Sequence, residues 1–308
     1  MMFTNDLNRK VFIEPMEAGA DQLYIVSAYA SPTMTTWLMK LVASLKKRIK
    51  LTLIVGMAGG EGISTTDHEG FKSLVREYPK ETIESFKCSY LYKAAPVHSK
   101  LYIWLSGDKP IAAFAGSANF TQTAFSNRQR EILTACDPYA AYDYFNSLID
   151  DTIYCNHAEV EEVVTIIPPK NIVCEDAEKV TLSLLTQRTG DVGVTSGLNW
   201  GQRAHRNPNE AYIHIPAHVA RSGFFPIDEA VFTVLTDDHR QLLLRVEQGG
   251  DKAITTPFSN ALLGEYFRNR IGAPEGARIT KADLERYGRT DVTFIKIEDE
   301  LFYMDFSV

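Results

Sequence analysis

The 308-residue chain has little cysteine: Cys88, Cys136, Cys155 and Cys174 are scattered and form no CxxC pair. That excludes a disulfide framework or a zinc knuckle and leaves free thiols as the expectation. Cys155 and His157 stand as CxH, but two ligands do not make a metal site. No apolar run approaches the length of a membrane span, and Met1 to Lys10 is polar without a signal-peptide core, so the expected location is cytoplasmic, away from membranes. Positive charge is not in excess either. With 32 Lys+Arg against 39 Asp+Glu the net charge is −7, which argues against non-specific coating of nucleic acid but permits a local basic patch. The glycine-rich stretch Gly56-Met57-Ala58-Gly59-Gly60-Glu61-Gly62 lacks the GK[ST] of a nucleotide-binding loop and reads as a surface loop near a site rim. There is neither an HExxH nor a carboxylate cluster for a catalytic cation.

What is present suits a globular protein of two domains, 45% hydrophobic and 23% charged. Leu23 to Tyr29 and Leu51 to Val55 read as buried strands, Pro32 to Lys50 and Asp67 to Tyr78 as helices, and Cys88 to Tyr92 as a further strand. This alternation predicts a layered α/β sheet. A helix follows from Asp137-Pro138 to about Asp150, with Tyr139, Tyr142 and Phe145 as a packing stripe suited to a dimer contact. Pro168-Pro169-Lys170-Asn171 marks a linker. Beyond it short strands recur, at Tyr212 to Ile215, Val231 to Leu235, Gln241 to Val246, Val292 to Ile297 and Leu301 to Phe306, with helices at Asn260 to Ile271 and near Lys281 to Tyr287. That half predicts a β barrel or sandwich. The division is 1–168, a linker at 169–178, and 179–308.

The chain is organised around Val97 to Phe120, VHSKLYIWLSGDKPIAAFAGSANF, read as two strands joined by a turn at Gly107 to Pro110. In an extended strand residues two apart share a face, so His98 and Lys100 project together, as do Ser117 and Asn119 after Gly116. Glycine there would let the backbone approach a ligand. An imidazole, an ammonium and two neutral hydrogen-bonding side chains suit a tetrahedral phosphate. A lone HxK or GSxN arises readily by chance. Both together, on consecutive strands with matched faces, favour a site.

His98-Ser99-Lys100 followed by Gly116-Ser117-Ala118-Asn119 resembles the HKD motif of the phospholipase D superfamily, whose soluble nucleases carry one copy per chain. The resemblance implies His98 as a nucleophile forming a phosphohistidine, with Lys100, Ser117 and Asn119 holding phosphate oxygens. It also implies that Glu131 steadies the histidine ring. The sequence departs from the family in placing Leu105 where a structural aspartate is usual, and in a longer gap before the glycine.

In the second half, where 11 of the 15 basic residues from Asn171 onward are Arg, two loops carry base-reading side chains. The first offers Gln202, Arg203, His205, Arg206 and Asn207; the second offers Lys252, Thr255, Thr256, Ser259 and Asn260. On a β scaffold they resemble the two recognition arms of B3-like DNA-binding domains. An HKD domain followed by a B3-like domain is similar to the NgoFVII-type restriction endonucleases, LNWGQRAHRNPNEAYIHIP and TPFSNALLGEYFRNRIG included. The resemblance implies a Type II enzyme cutting double-stranded DNA at a short GC-rich site, with a separate helicase-like ATPase as partner in some members. No motor motif is present, so any ATP dependence would come from such a partner. Because histidine chemistry needs one imidazole to attack and another to protonate, a single copy predicts a homodimer with a composite site and no required metal or other cofactor. The alternatives are a DNA-binding protein with a catalytically silent nuclease-like dimerisation domain, and a non-nuclease phosphodiesterase of the same superfamily. A phospholipase would be expected to show two motif copies and an apolar lipid-binding surface, and the sequence has neither.

Overall fold

The computed structural model describes residues 1–126, 129–168, 177–247 and 249–308, and the chain divides into two compact units, Met1–Pro169 and Lys170–Val308. Most of the proposed linker lies outside the described residues. Glu178, its last residue, already belongs to the second unit, since its carbonyl accepts from Lys296 N.

The first unit is an eight-stranded mixed sheet. In chain order its strands are β1 (Met2–Phe3), β2 (Gln22–Ser27), β3 (Ile49–Val55), β4 (Ile83–Leu91), β5 (Lys100–Ser106), β6 (Lys109–Gly116), β7 (Leu133–Cys136) and β8 (Thr152–Tyr154). They lie in the order β1-β7-β6-β5-β2-β3-β4-β8. The central strands β2, β3 and β4 are parallel and read as apolar runs because both faces are covered. On β5, Leu101, Ile103 and Leu105 face α3 (Pro138–Leu148) and pack with Ala141, Phe145 and Leu148. Tyr102 and Trp104 face the other way, where Tyr102 meets Phe12 and Phe125, and Trp104 Nε1 donates to Val11 O at 2.6 Å. That second face also carries α1 (Pro32–Ser44) and α2 (Thr65–Arg76).

Two sequence expectations are corrected here. Pro32 to Lys50 is not one helix, because the chain turns at Lys46, φ +53°, and enters β3 at Ile49. The strand expected at Cys88 to Tyr92 starts earlier, at Ile83, and is β4. The Tyr139, Tyr142 and Phe145 stripe does pack, against its own sheet: Tyr142 and Phe145 lie 5.2 and 5.1 Å from Tyr24, and Tyr139 alone of the three is exposed. The N-terminal turn around Arg9–Ile13, whose Phe12 enters the core, has no counterpart in the sequence reading. It winds as a π-helix just before Pro15, which has no N–H to continue an α ladder.

The second unit is one seven-stranded sheet: β9 (Lys179–Ser183), β10 (Ile213–His214), β11 (Val231–Thr236), β12 (Gln241–Glu247), β13 (Ala253–Thr255), β14 (Asp291–Glu298) and β15 (Leu301–Asp305). In the order β9-β14-β15-β11-β12-β13-β10, every neighbouring pair is antiparallel except β11 with β15. The two edge strands approach one another, which curls the sheet into a nearly closed barrel. Its interior is a cluster of Phe224, Phe225, Phe232, Phe294 and Phe302. Helices α4 (Ala261–Ile271) and α5 (Lys281–Tyr287) close it, each ended by a left-handed glycine, Gly272 and Gly288.

Candidate active site

The strands β5 and β6 pair antiparallel around a turn with Gly107 at φ +57°, so Lys100 and Gly116 emerge at one end of the sheet. Tyr102 OH donates to Ala118 O at 2.8 Å and ties the second motif segment to the first. His98 lies just before β5 and is exposed, whereas Lys100 is 5% exposed. The Lys100 ammonium donates to His98 O at 2.7 Å and stands 3.0 Å from the ring nitrogen Nδ1. Burial pulls the Lys100 pKa below the usual range for lysine, opposed by the negative charge of Glu131.

Glu131 accepts a short hydrogen bond from the Ser117 hydroxyl. The expected contact between Glu131 and the imidazole is not among the hydrogen bonds of the described residues; the carboxylate orients Ser117 and balances Lys100. Asn119 Oδ1 accepts from Tyr29 N at 3.2 Å, which leaves the amide's NH2 group as its free donor. Tyr29 itself meets the His98 ring edge to face at 6.1 Å and donates from its phenol to Glu61 at 2.7 Å. Neither Tyr29 nor Glu61 was singled out from the sequence; an apolar strand and a glycine-rich loop concealed them.

Gly116 answers to a neighbouring backbone. A Cβ on Gly116 would stand 2.1 Å from Ile132 O, so this glycine admits the neighbouring strand rather than a ligand. In the Gly56–Gly62 loop, side chains on Gly56, Gly59 and Gly60 would strike Val97, Leu91 and Tyr92, and Pro96. These glycines let the segment leading to His98 lie against the short helix Ala58–Glu61, which places the loop at the rim. Leu105, standing where the superfamily has its aspartate, is buried under α3 with the core.

Among the described residues, the donor cluster with metal-like spacing is His68, Glu69 and Glu161, and it shares no residue with this site. Lys72 already sits there, 2.8 Å from Glu69 and 3.7 Å from Glu161. Cys88 and Cys155 are buried free thiols whose backbones meet, Cys155 N donating to Cys88 O at 2.9 Å; burial pushes the Cys88 thiol well up, and His157 Nδ1 accepts from Glu159 N.

In the second unit the first recognition loop is carried by buried polar residues. Arg268, fully buried, donates to the carbonyls of Ala277, Gly264, Asn209, Pro208 and Leu198. Asn199 clasps Ile279 through both its N–H and its carbonyl, at 2.8 and 2.7 Å. Gln202, expected to read bases, instead donates to Gly276 O and Pro208 O. Arg203, His205, Arg206 and Asn207 are exposed, and Arg206 stacks on Trp200 at 4.4 Å while pairing with Glu210. In the second loop Lys252 is exposed, but Thr255 and Thr256 are buried and cannot offer hydroxyls outward; Asn260 is half-buried at the start of α4. The arginine bias also finds an internal use. Arg240, Arg245, Arg270, Arg286 and Arg289 pair with Asp238, Glu247, Asp237, Asp283 and Asp305.

Comparison with known proteins follows the same division. Residues 5–162 match the model of the NgoFVII restriction endonuclease N-terminal PLD domain, and residues 172–298 that of the NgoFVII C-terminal B3-like DNA-binding domain. Among solved structures, NucT from Helicobacter pylori is 19% identical, covering 50% of this chain and 97% of its own, with a TM-score of 0.35. Nuc from Salmonella typhimurium, a phospholipase D family member, is 14% identical over 50% and 95%, TM-score 0.35. A hypothetical Arabidopsis thaliana protein is 15% identical over 42% and 90%, TM-score 0.22. Among curated proteins none matches. No described helix is long and apolar enough to cross a membrane. With its first match alone spanning just over half the chain and the second covering most of the remainder, the chain belongs to the NgoFVII restriction endonuclease family, a phospholipase D-type nuclease domain followed by a B3-like DNA-binding domain.

Proposed function

We propose that this restriction endonuclease cuts DNA without a divalent metal, through a covalent phosphohistidine at a site shared by two copies of the chain. The observation that carries the reading is the ammonium of Lys100 held against His98, with Ser117, Asn119 and Glu131 on the adjoining segments. One His98 attacks phosphorus, forming a P–N bond as one P–O bond breaks. The departing oxygen takes its proton from the partner subunit's His98, and that imidazole then activates the water that hydrolyses the P–N bond. Lys100, Ser117 and the Asn119 amide stabilise the charge that builds on the phosphoryl oxygens. The charge balance is met by side chains, which supports independence from a cation.

Arg203, His205, Arg206, Asn207 and Lys252 are the outward-facing candidates for contact with a short, GC-rich site, arginine being suited to guanine. Gln202, Thr255, Thr256 and Asn260 shape the two loops. Any ATP dependence belongs to a separate helicase-like partner. The test is digestion of plasmid DNA in EDTA by the parent protein and by His98→Ala. The parent is expected to cut and to trap a labelled phosphohistidine on acid-free quenching; His98→Ala should bind the same DNA without cutting it. Cleavage retained by His98→Ala overturns the assignment, and a strictly monomeric active species overturns the shared site.

A further inference from the structure

Three segments of the first unit meet at Tyr29. Ala28 N donates to Ser99 O at 3.1 Å, joining the end of β2 to the residue after His98, and Met57 N donates to Ala28 O at 3.1 Å, joining it to the glycine-rich loop. Ser27 Oγ donates to Tyr29 O at 2.6 Å and accepts from Phe120 N at 2.8 Å, which binds the same turn to the residue after Asn119. The turn Ser27–Tyr29 is thus held from three sides, and the Tyr29 N–H sets the orientation of the Asn119 amide.

The side chain, by contrast, is 41% exposed, yet it is engaged by both its ring and its phenol. Its ring stands at 83° to the His98 imidazole with centroids 6.1 Å apart, an edge-to-face arrangement. Its phenol is anchored on Glu61 at 2.7 Å, so the ring is braced at its far end. Lys100 limits the imidazole on one side, and Tyr29 limits it on another. An exposed histidine on a loop would otherwise sample several rotamers, only one of which aims a nitrogen at phosphorus.

We infer that Tyr29 is a positioning residue for the nucleophile: its ring, braced by Glu61, holds the His98 imidazole in the attacking rotamer. The inference rests on the reading of His98 as nucleophile. It assigns to the glycine-rich loop a purpose beyond close packing, since Glu61 is presented by the short helix that Gly59 and Gly60 allow to approach.

The test compares Tyr29→Phe, which keeps the ring, with Tyr29→Leu, which removes it, in single-turnover cleavage of cognate DNA by the full-length protein. Rates are normalised to the fraction competent to bind DNA, and Tyr29→Met is the second ring-less variant if Tyr29→Leu does not fold. Tyr29→Phe is expected to slow phosphohistidine formation by a few-fold, and the ring-less variant by about 100-fold, with the Kd for DNA unchanged in both. A ring-less variant that forms the intermediate at the parental rate overturns the inference. So does equal slowing of the Phe and ring-less variants, which would transfer the role to the phenol oxygen. His98→Ala, run in parallel, separates the two readings: a dead His98→Ala with a fully active ring-less variant removes Tyr29 alone, whereas an active His98→Ala removes the nucleophile itself.

Discussion

Lys100 reaches back two residues to hold His98, donating to the backbone carbonyl at 2.7 Å while its ammonium lies 3.0 Å from the imidazole Nδ1. A buried ammonium beside an exposed imidazole is a stable arrangement only when an anion is near. In the free protein the Glu131 carboxylate supplies part of that charge, and a bound phosphate would supply the rest.

Lys100→Met should therefore stabilise the fold while abolishing cleavage, a trade expected where a site is organised for its ligand. Because burial lowers the folded-state pKa of Lys100, the charged group costs stability at neutral pH, and that cost lifts as pH rises through the lowered pKa. Thermal unfolding should give the Met variant an advantage of about 1 kcal/mol at pH 7, shrinking as pH climbs towards the ordinary lysine range. An advantage that is absent, or that grows with pH, would contradict the argument.

Gly116→Ala should cripple cleavage although no atom of Gly116 is needed on the phosphate. The added methyl would meet Ile132 O, backbone at the entry to β7 that cannot yield as a flexible side chain would. Separation of β6 from β7 by even a few tenths of an ångström displaces Ser117 from Glu131. Loss of about 2 kcal/mol of stability is expected, together with a cleavage rate at least tenfold lower; denaturant titration and single-turnover kinetics read the two effects.

In the second unit, Arg268→Met should release the first recognition loop. It would remove the donor to five carbonyls at once, and nothing else among the described residues is placed to serve them together. Hydrogen exchange should rise across 198–209 and DNA affinity should fall more than tenfold, even though Arg268 is fully buried and cannot touch DNA. Unchanged affinity would show that the loop is held by other means.

Asp237 and Arg270 form a two-pronged ion pair at 2.8 and 2.5 Å; Tyr266, Tyr287, Phe306 O and, at 3.3 Å, the Asp238 carboxylate also surround the guanidinium. Burial alone would raise the Asp237 carboxyl, but hydrogen bonds from Arg270 and Phe306 N outweigh it and hold the pKa below the usual carboxylate range. Its contribution is then present above the unfolded-state pKa and is lost as pH falls through the folded one. Asp237→Asn should cost about 3 kcal/mol at pH 7, and the difference from the parent should close on acidification below about pH 4. A constant difference across that range would rule out the ionic origin.

Local pattern singled out His98, Lys100, Ser117 and Asn119 as alternate residues on two strands; in the structure only Lys100 lies within a strand, and the other three stand on the segments just outside β5 and β6. The same periodicity anticipated β2, β3, the strands β11, β12, β14 and β15, and helices α4 and α5 within a residue or two, but missed the first five residues of β4, which starts at Ile83. Where sequence reading went astray, the deciding partner was distant in the chain. Gly116 answers to Ile132, Gln202 to Gly276, and Arg268 to carbonyls up to seventy residues away. Arginine composition could not reveal that most of these side chains are tied to neighbouring carboxylates, nor could a run of threonines reveal that Thr255 and Thr256 turn inward.

The order of residues thus determined which chemistry the chain carries and which segments alternate, since both follow from side-chain identity and the pitch of the backbone. Tertiary structure decided which polar groups face outward. It set Glu131 on Ser117, brought Tyr29 and Glu61 to the rim of the His98 site, and turned the buried Arg268 into a loop support. These choices arise when strands distant in sequence pair and each buried donor must find an acceptor.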